Sequence, residues 1–244
     1  MCFFVAVFSF RITTYNIHKC RGLDRRVRPK RIAEVLKQID ADIVALQEVV
    51  GMDEAAREHN QVHAIADELG MDFRIGENRR LRGGAYGNAV LSRLPIVADR
   101  NHDLTWRLNE PRGGLQVTIK NSQTTLEIYN VHLGTGFFER RYQAHRLFEV
   151  ISGVAKAPRI VLGDFNEWMR GLTTHLLSYH LNSAEPEQRL GRARTYPGVF
   201  PILHLDHIYY DSLLTLKSIM VHRSRLALAA SDHLPIVAEF VIAQ

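Results

Sequence analysis

A mixed α/β sandwich with at least two sheets is the fold class this sequence predicts, and three observations predict it. Apolar runs of strand length recur along all 244 residues. Helical spacing separates several of the early and middle ones. Between about residues 72 and 132 the pattern is strand and short turn with no helix, as in "RGG" at 82–84 and 112–114. Taken in order, the strand-like runs lie at about 5–16, 42–47, 87–91, 115–119, 126–132, 159–163, 205–210 and 234–242. Arg28-Pro29 opens the first helical stretch, and Ile32, Val35, Leu36 and Ile39 follow at three-to-four spacing. A second helix follows His59, with Val62, Ile65, Ala66 and Leu69, and a third runs from about Phe137 through Leu147, Phe148 and Ile151. The irregular alternation argues against a βα barrel, and the lack of GxGxxG argues against a dinucleotide-binding unit. No linker, repeat or low-complexity tract interrupts the chain, so residues 1–244 read as one domain.

Composition bounds the function more loosely. The chain is 46% hydrophobic and 23% charged, with a net charge of +5 and a pI of about 9.4. That balance favours anionic partners without choosing among nucleic acid, phospholipid headgroups and small phosphates. Two cysteines, Cys2 and Cys20, make neither a disulfide framework nor a CxxC metal site. The apolar opening "MCFFVAVFSF" is too short to span a bilayer and lacks the basic flank and cleavage site of a signal peptide. It reads as the first strand, which predicts a cytoplasmic protein with no integral membrane contact.

The strands end unusually. "ITTYNIH" carries Asn16 and His18, "DIVALQEV" carries Gln47-Glu48, and "LEIYNVHLG" carries Asn130 and His132. "RIVLGDFN" finishes in Asp164 and Asn166, Asp206 lies within "LHLDHIYYD", and Asp232-His233 precedes the last strand. Polar groups at the ends of apolar strands cost free energy unless paired or metal-bound. Singly, each has a plain reading: Asp164 as a turn cap, Glu48 as a surface acid, His132 or His233 as a satisfied core imidazole. Six strands with the same ending imply a shared cleft at one edge of the sheets. Acids and amides without cysteine point to a hard cation, Mg²⁺ or Mn²⁺, with Glu48 and Asn16 as a plausible ligand pair. Zinc fits less well, because the histidines are scattered. Acids, amides and imidazoles together suit hydrolysis at phosphorus.

In this order, "TYNIH", "LQEV", "GNAVLSRLPI", "NVHLG", "GDFN", "LDHIYYD" and "SDHLP" resemble the endonuclease/exonuclease/phosphatase superfamily, the DNase I-like proteins, from about residue 12 to 240. The resemblance implies an α/β (α+β) four-layer sandwich, with two mostly antiparallel β-sheets packed face to face and helices outside. It also implies Mg²⁺-dependent cleavage of phosphoester bonds, with Mn²⁺ as a possible substitute. Carried over by motif, Glu48 and Asn16 hold the metal, and Asp232 completes that region or orients His233. Asp164 and Asn166 orient the attacking water and the phosphate. His233 contacts the scissile phosphate or acts as base, Asp206 fixes its tautomer, and His132 stabilises or protonates the leaving group. The choice of base between Asp164 and His233 stays open. Glu77 is a candidate partner for His132. Apurinic endonucleases carry a tyrosine motif where this chain has Asn130-Val131-His132, which argues against abasic-site repair. A short chain with no evident exposed hydrophobic hairpin argues against a sphingomyelinase.

Arg79, Arg82, Asn88 and Asn130 are the candidate substrate-binding residues, with Arg80, Arg112 and Arg140-Arg141 behind them. Trp106, Trp168 and Tyr196 are candidate stacking surfaces. The leading expectation is a metal-dependent phosphodiesterase, nuclease-like on nucleic acid. The alternatives are the same chemistry on a phospholipid or small phosphate ester, or a non-catalytic phosphate-binding module.

Overall fold

The computed structural model describes residues 7–51, 60–81, 84–121, 124–152, 157–169, 171–185 and 194–243. The first half contains β1 (Val7–Asn16), α1 (Pro29–Ile39), β2 (Ile43–Gly51), α2 (Gln61–Leu69), β3 (Asp72–Leu81), β4 (Gly84–Ser92), β5 (Ile96–Asp103) and β6 (Gly113–Lys120). The second contains β7 (Thr125–His132), α3 (Phe137–Ser152), β8 (Arg159–Asp164), α4 (Leu172–His180), β9 (Asn182–Ala184), β10 (Asp206–Tyr210), β11 (Leu214–Val221), α5 (Arg225–Ala230) and β12 (Ile236–Ala243). None of the described helices is long and apolar enough to cross a membrane.

Two six-stranded sheets form, ordered β11-β12-β1-β2-β4-β3 and β5-β6-β7-β8-β10-β9. Each is antiparallel except at one central pair, β1 with β2 and β7 with β8. Parallel neighbours need a crossover, and α1 and α3 supply it. Period-two alternation builds the layers. Ile43 and Ala45 of β2 face the other sheet, where Ile128 of β7 and Ile160 and Leu162 of β8 meet them. Val44 and Leu46 face α1 and α2, and Val161 and Tyr129 face α3 and α4. The order of layers is helices, sheet, sheet, helices.

Local chemistry sets the helix ends. Pro29 starts α1, whose buried stripe is Ile32, Val35, Leu36 and Ile39. The Asn60 side chain accepts from the amides of Val62 and His63 to cap α2, which Gly70 closes at φ 64°. The eight apolar runs are the eight interior strands. Both edges of both sheets, β3, β11, β5 and β9, have no such run, because an edge strand keeps one face in water, as β5 does along most of its length. Helices α4 and α5 also lie outside the predicted elements. One expectation is overturned here. Tyr196 and Leu203 bridge to close a short loop at 197–202, and Val199 and Phe200 project from it into solvent, so an exposed apolar loop is present.

Candidate active site

The site lies where the two parallel pairs end. Along β1, β7, β8 and β10, alternation aims Asn16, His132, Asp164 and Asp206 at the space between the sheets. Register then aligns them: His132 pairs with Asp164 across β7 and β8, and Asp206 pairs with Asp164 across β10 and β8. At this edge the inter-sheet layer changes from apolar to polar and opens into a cleft of about 480 Å³. Asn16, Glu48, His132, Asp164, Asn166, Asp232 and His233 all line it.

Asp164 is the hub, with only 1% of its surface exposed. Its Oδ1 accepts the Asn166 amide at 2.9 Å. Its Oδ2 accepts Nδ2 of Asn16 from the opposite sheet at 2.9 Å and faces Nε2 of His132 and of His233, each at 3.6 Å. The preceding Gly163 adopts φ +145°, and a Cβ there would meet the Val131 carbonyl oxygen at 1.9 Å, so only glycine allows the strand to turn into the site. Asp206 lies behind the cleft and pairs through Oδ2 with Nδ1 of His233 at 2.9 Å. Asn166 donates from Nδ2 to the Leu133 carbonyl at 2.9 Å, tying the loops after β7 and β8 together.

Glu48 arrives by a different route. Simple alternation would send it to the helix side. In the pairing of β2 with β4, however, Leu46 faces Ala89 and Val49 faces Gly87, so Gln47 and Glu48 share one position. This β-bulge, with Glu48 at φ 57°, turns the carboxylate into the cleft while Gln47 stays buried between the sheets. After β1, a turn with His18, Lys19 and Cys20 all at positive φ brings Lys19 onto Glu48 and His18 to 3.4 Å from Asp232. Ser231 Oγ, donating to the Asn16 carbonyl at 2.8 Å, holds the β12 approach against β1.

The environments separate the protonation states. Burial pushes the Asp164 carboxyl up to about 6, although His233 opposes it. Burial alone would lower His233, but Asp206 outweighs it, with Asp164 and Asp232 adding to the effect, and holds the imidazole at about 10. Burial would raise Glu48, yet the His132 ring and the Lys19 ammonium more than offset it and hold the carboxyl at about 2. His132 lies well below its ordinary value, through burial and then the Arg112 guanidinium. Arg112 stands 3.0 Å from Nδ1 of His132, and a guanidinium can only donate. Neutral His132 therefore carries its proton on Nε2, pointing at Asp164.

The substrate-binding candidates fare differently. Asn130 is fully buried: it donates to the carbonyls of Leu46 and Ala89 and accepts from Gln47, clamping the sheets together. Asn88 is equally buried and donates to Gly113 and Asn130 carbonyls. Neither reaches the cleft, because both face the inter-sheet layer below it. Arg79 pairs with Glu110 and lies over the Tyr86 ring, outside the cleft lining. Arg82 lies outside the described residues. Glu77 is half-exposed at its side chain and pairs with Arg80, so Arg112 and not Glu77 supports His132. Arg112, Trp168 and Tyr196 do line the cleft, and the Tyr196 ring packs 4.9 Å from that of His233. Trp106 sits beside Arg107, and Arg140 is spent on the carbonyls of Gly134 and Thr135. Sequence reasoning missed Lys19, whose only signal is a cation three residues beyond Asn16.

A divalent cation can be tested against these donors. Glu48, Asp232 and the side-chain Oδ1 of Asn16, which also accepts the His18 amide at 3.1 Å, are hard oxygen ligands on one cleft, and the Lys19 ammonium against Glu48 shows that this corner favours positive charge. The residues fit such an ion. Asp164, Asp206 and His233 also bring ligand atoms within 4.8 Å of one another. Since Asp206 already accepts from His233, that trio is better described as a carboxylate–imidazole pair beside a second acid, Asp164.

Comparison with known proteins places this geometry. The YbhP protein of Escherichia coli strain K12 is 35% identical over 246 aligned residues, covering 95% of this chain and 96% of that one. An endonuclease/exonuclease/phosphatase family protein from Bacteroides thetaiotaomicron superposes with a TM-score of 0.81 at 20% identity, covering 98% of this chain and all of that one. A mannosyl-6-phosphatase from the same species superposes at 0.78 with 20% identity, over 95% of this chain and 99% of that one. Residues 13–233, from the middle of β1 to the imidazole paired with Asp206, match one family throughout. The two sheets, the strand-end acids and the imidazoles between them thus belong to a member of the endonuclease/exonuclease/phosphatase family.

Proposed function

We propose that this protein is a metal-dependent phosphodiesterase in which Asp164 prepares the attacking water. The observation that carries this reading is the single oxygen, Oδ2 of Asp164, faced by Asn16, His132 and His233 at the end of the inter-sheet layer. Glu48, Asn16 and Asp232 would hold a Mg²⁺ or Mn²⁺ ion, which would supply Lewis acidity toward the phosphoryl oxygens. Asp164, ionised above about pH 6, accepts a proton from water. His233, kept protonated by Asp206, donates to a non-bridging phosphate oxygen and is not the base. His132 donates from Nε2 to the leaving oxygen as a neutral hydrogen-bond donor. Asn166 keeps Asp164 aligned through its amide.

Arg79 and Arg80, two of the cations that favoured nucleic acid, pair with acids outside the cleft lining. A panel of phosphoesters with and without divalent metal tests the proposal: bis-p-nitrophenyl phosphate, a plasmid, a single-stranded oligonucleotide and phospholipid vesicles. The expected result is metal-stimulated cleavage of at least the first. No metal-stimulated hydrolysis of any of them leaves a non-catalytic phosphate-binding module as the better reading.

A further inference from the structure

Exposed apolar side chains adjoin the cleft in two places. Phe137 and Phe138 at the start of α3, and Trp168 and Met169 after β8, are each at least 60% exposed. Trp168 lines the catalytic cleft and also shares a side pocket with Phe137 and Met169. In the second place, Tyr196 and Leu203 line the cleft, and the loop they close carries Val199 and Phe200, the latter 77% exposed. Large apolar side chains grouped around a polar opening mark an interaction surface. Guanidinium groups stand among them. Arg141 lies in the side pocket beside Phe137, and Arg21 and Arg25 line an adjoining cavity that shares Asp232 with the cleft. None of these three has a carboxylate partner among the described residues.

We propose that the cleft works at a lipid surface: the apolar collar seats in the headgroup boundary of a bilayer carrying anionic phospholipid, and the scissile phosphoester is that of a lipid headgroup. Apolar side chains beside fixed cations are the combination that binds such a boundary. Nucleobase stacking accounts for less, because Val199 and Met169 have no π face, and Phe137 and Phe138 sit edge to face at 80°. The inference rests on the phosphoesterase reading above. In the reaction, water oxygen bonds to phosphorus as the P–O bond to the lipid alcohol breaks. The water proton passes to Asp164, and the leaving alkoxide, hydrogen-bonded by Nε2 of His132, takes a proton from bulk water to depart as an alcohol, while Asp164 returns its proton to solvent.

Co-sedimentation of the whole protein with phosphatidylcholine vesicles, with or without phosphatidylglycerol, tests the docking. Release of headgroup products from the same vesicles, beside turnover of bis-p-nitrophenyl phosphate, tests the substrate. Wild-type protein should sediment with the anionic vesicles and shift its tryptophan emission to shorter wavelength. The double variant Phe138→Ser/Phe200→Ser, altered only at exposed positions, should bind roughly tenfold or more weakly with soluble-ester turnover unchanged. A wild type that stays in the supernatant, or a variant that sediments equally well, overturns the proposal. So does a variant that loses oligonucleotide binding and keeps vesicle binding, which would make the collar a stacking platform. Cleavage of the soluble ester with none of vesicle lipid overturns the lipid substrate and leaves the phosphoesterase reading intact. Vesicle binding without hydrolysis of anything overturns that reading and not the docking.

Discussion

The units β1–α1–β2 and β7–α3–β8 are built alike and furnished differently. Each is a parallel pair at the centre of its sheet, joined by a crossover helix, and each ends at the cleft in one amide or imidazole and one acid. In the first, Asn16 is buried at the end of β1, while Glu48 leaves its strand through a bulge and is partly exposed. In the second, His132 and Asp164 stay in register and remain buried. The same topology thus yields a carboxyl held at about 2 beside a lysine and a carboxyl raised to about 6 between imidazoles. Surroundings assign the chemistry: one acid is suited to hold a cation, the other to move a proton.

Substitutions can break this contrast. Asp164→Asn should have the largest effect, lowering kcat by roughly a hundred- to ten-thousandfold with the thermal midpoint maintained. Asp206→Asn should cost about ten- to a hundredfold, because it releases the charge and orientation of the His233 imidazolium without touching the water. Wild-type kcat/KM should rise through about pH 6 as Asp164 ionises, and a flat profile there would remove it as base.

Stability responds to pH in the opposite sense, through His233. Its folded pKa of about 10 lies above the ordinary imidazole value, so its contribution is complete below about 6.5 and is lost as pH rises toward 10. Urea midpoints of metal-free protein should fall across that window, and His233→Gln should flatten the slope. The smallest effect on catalysis belongs to Asn130→Ala. It strands buried partners between the sheets and should lower stability by about 1–3 kcal/mol while leaving KM unchanged.

Much of this arrangement was legible in the sequence. Interior strands are buried on both faces and therefore print continuous apolar runs, which located all eight. Edge strands print none; α5 has only six residues, and α4, as long as α2, buries Thr173, Thr174 and Leu177 and so prints no apolar stripe. The acids and imidazoles of the cleft were legible because polar residues stand out at the ends of such runs. Asn88 and Asn130 stand out for the same reason, and sequence cannot separate an amide that clamps two sheets from one that faces a substrate. The Arg112–His132 contact joins a loop residue before β6 to the end of β7, 20 residues apart in sequence, and depends on a loop geometry that no local pattern reveals.

The division of labour between the two units is tested most directly by turnover of bis-p-nitrophenyl phosphate as a function of Mg²⁺ concentration for wild type, Glu48→Gln and Asp164→Asn. A chelator should abolish the activity. Glu48→Gln should move half-saturation to higher Mg²⁺, and Asp164→Asn should lower the plateau with half-saturation little changed. Chelator-resistant activity, or two variants with the same metal dependence and the same plateau, would contradict that division of labour.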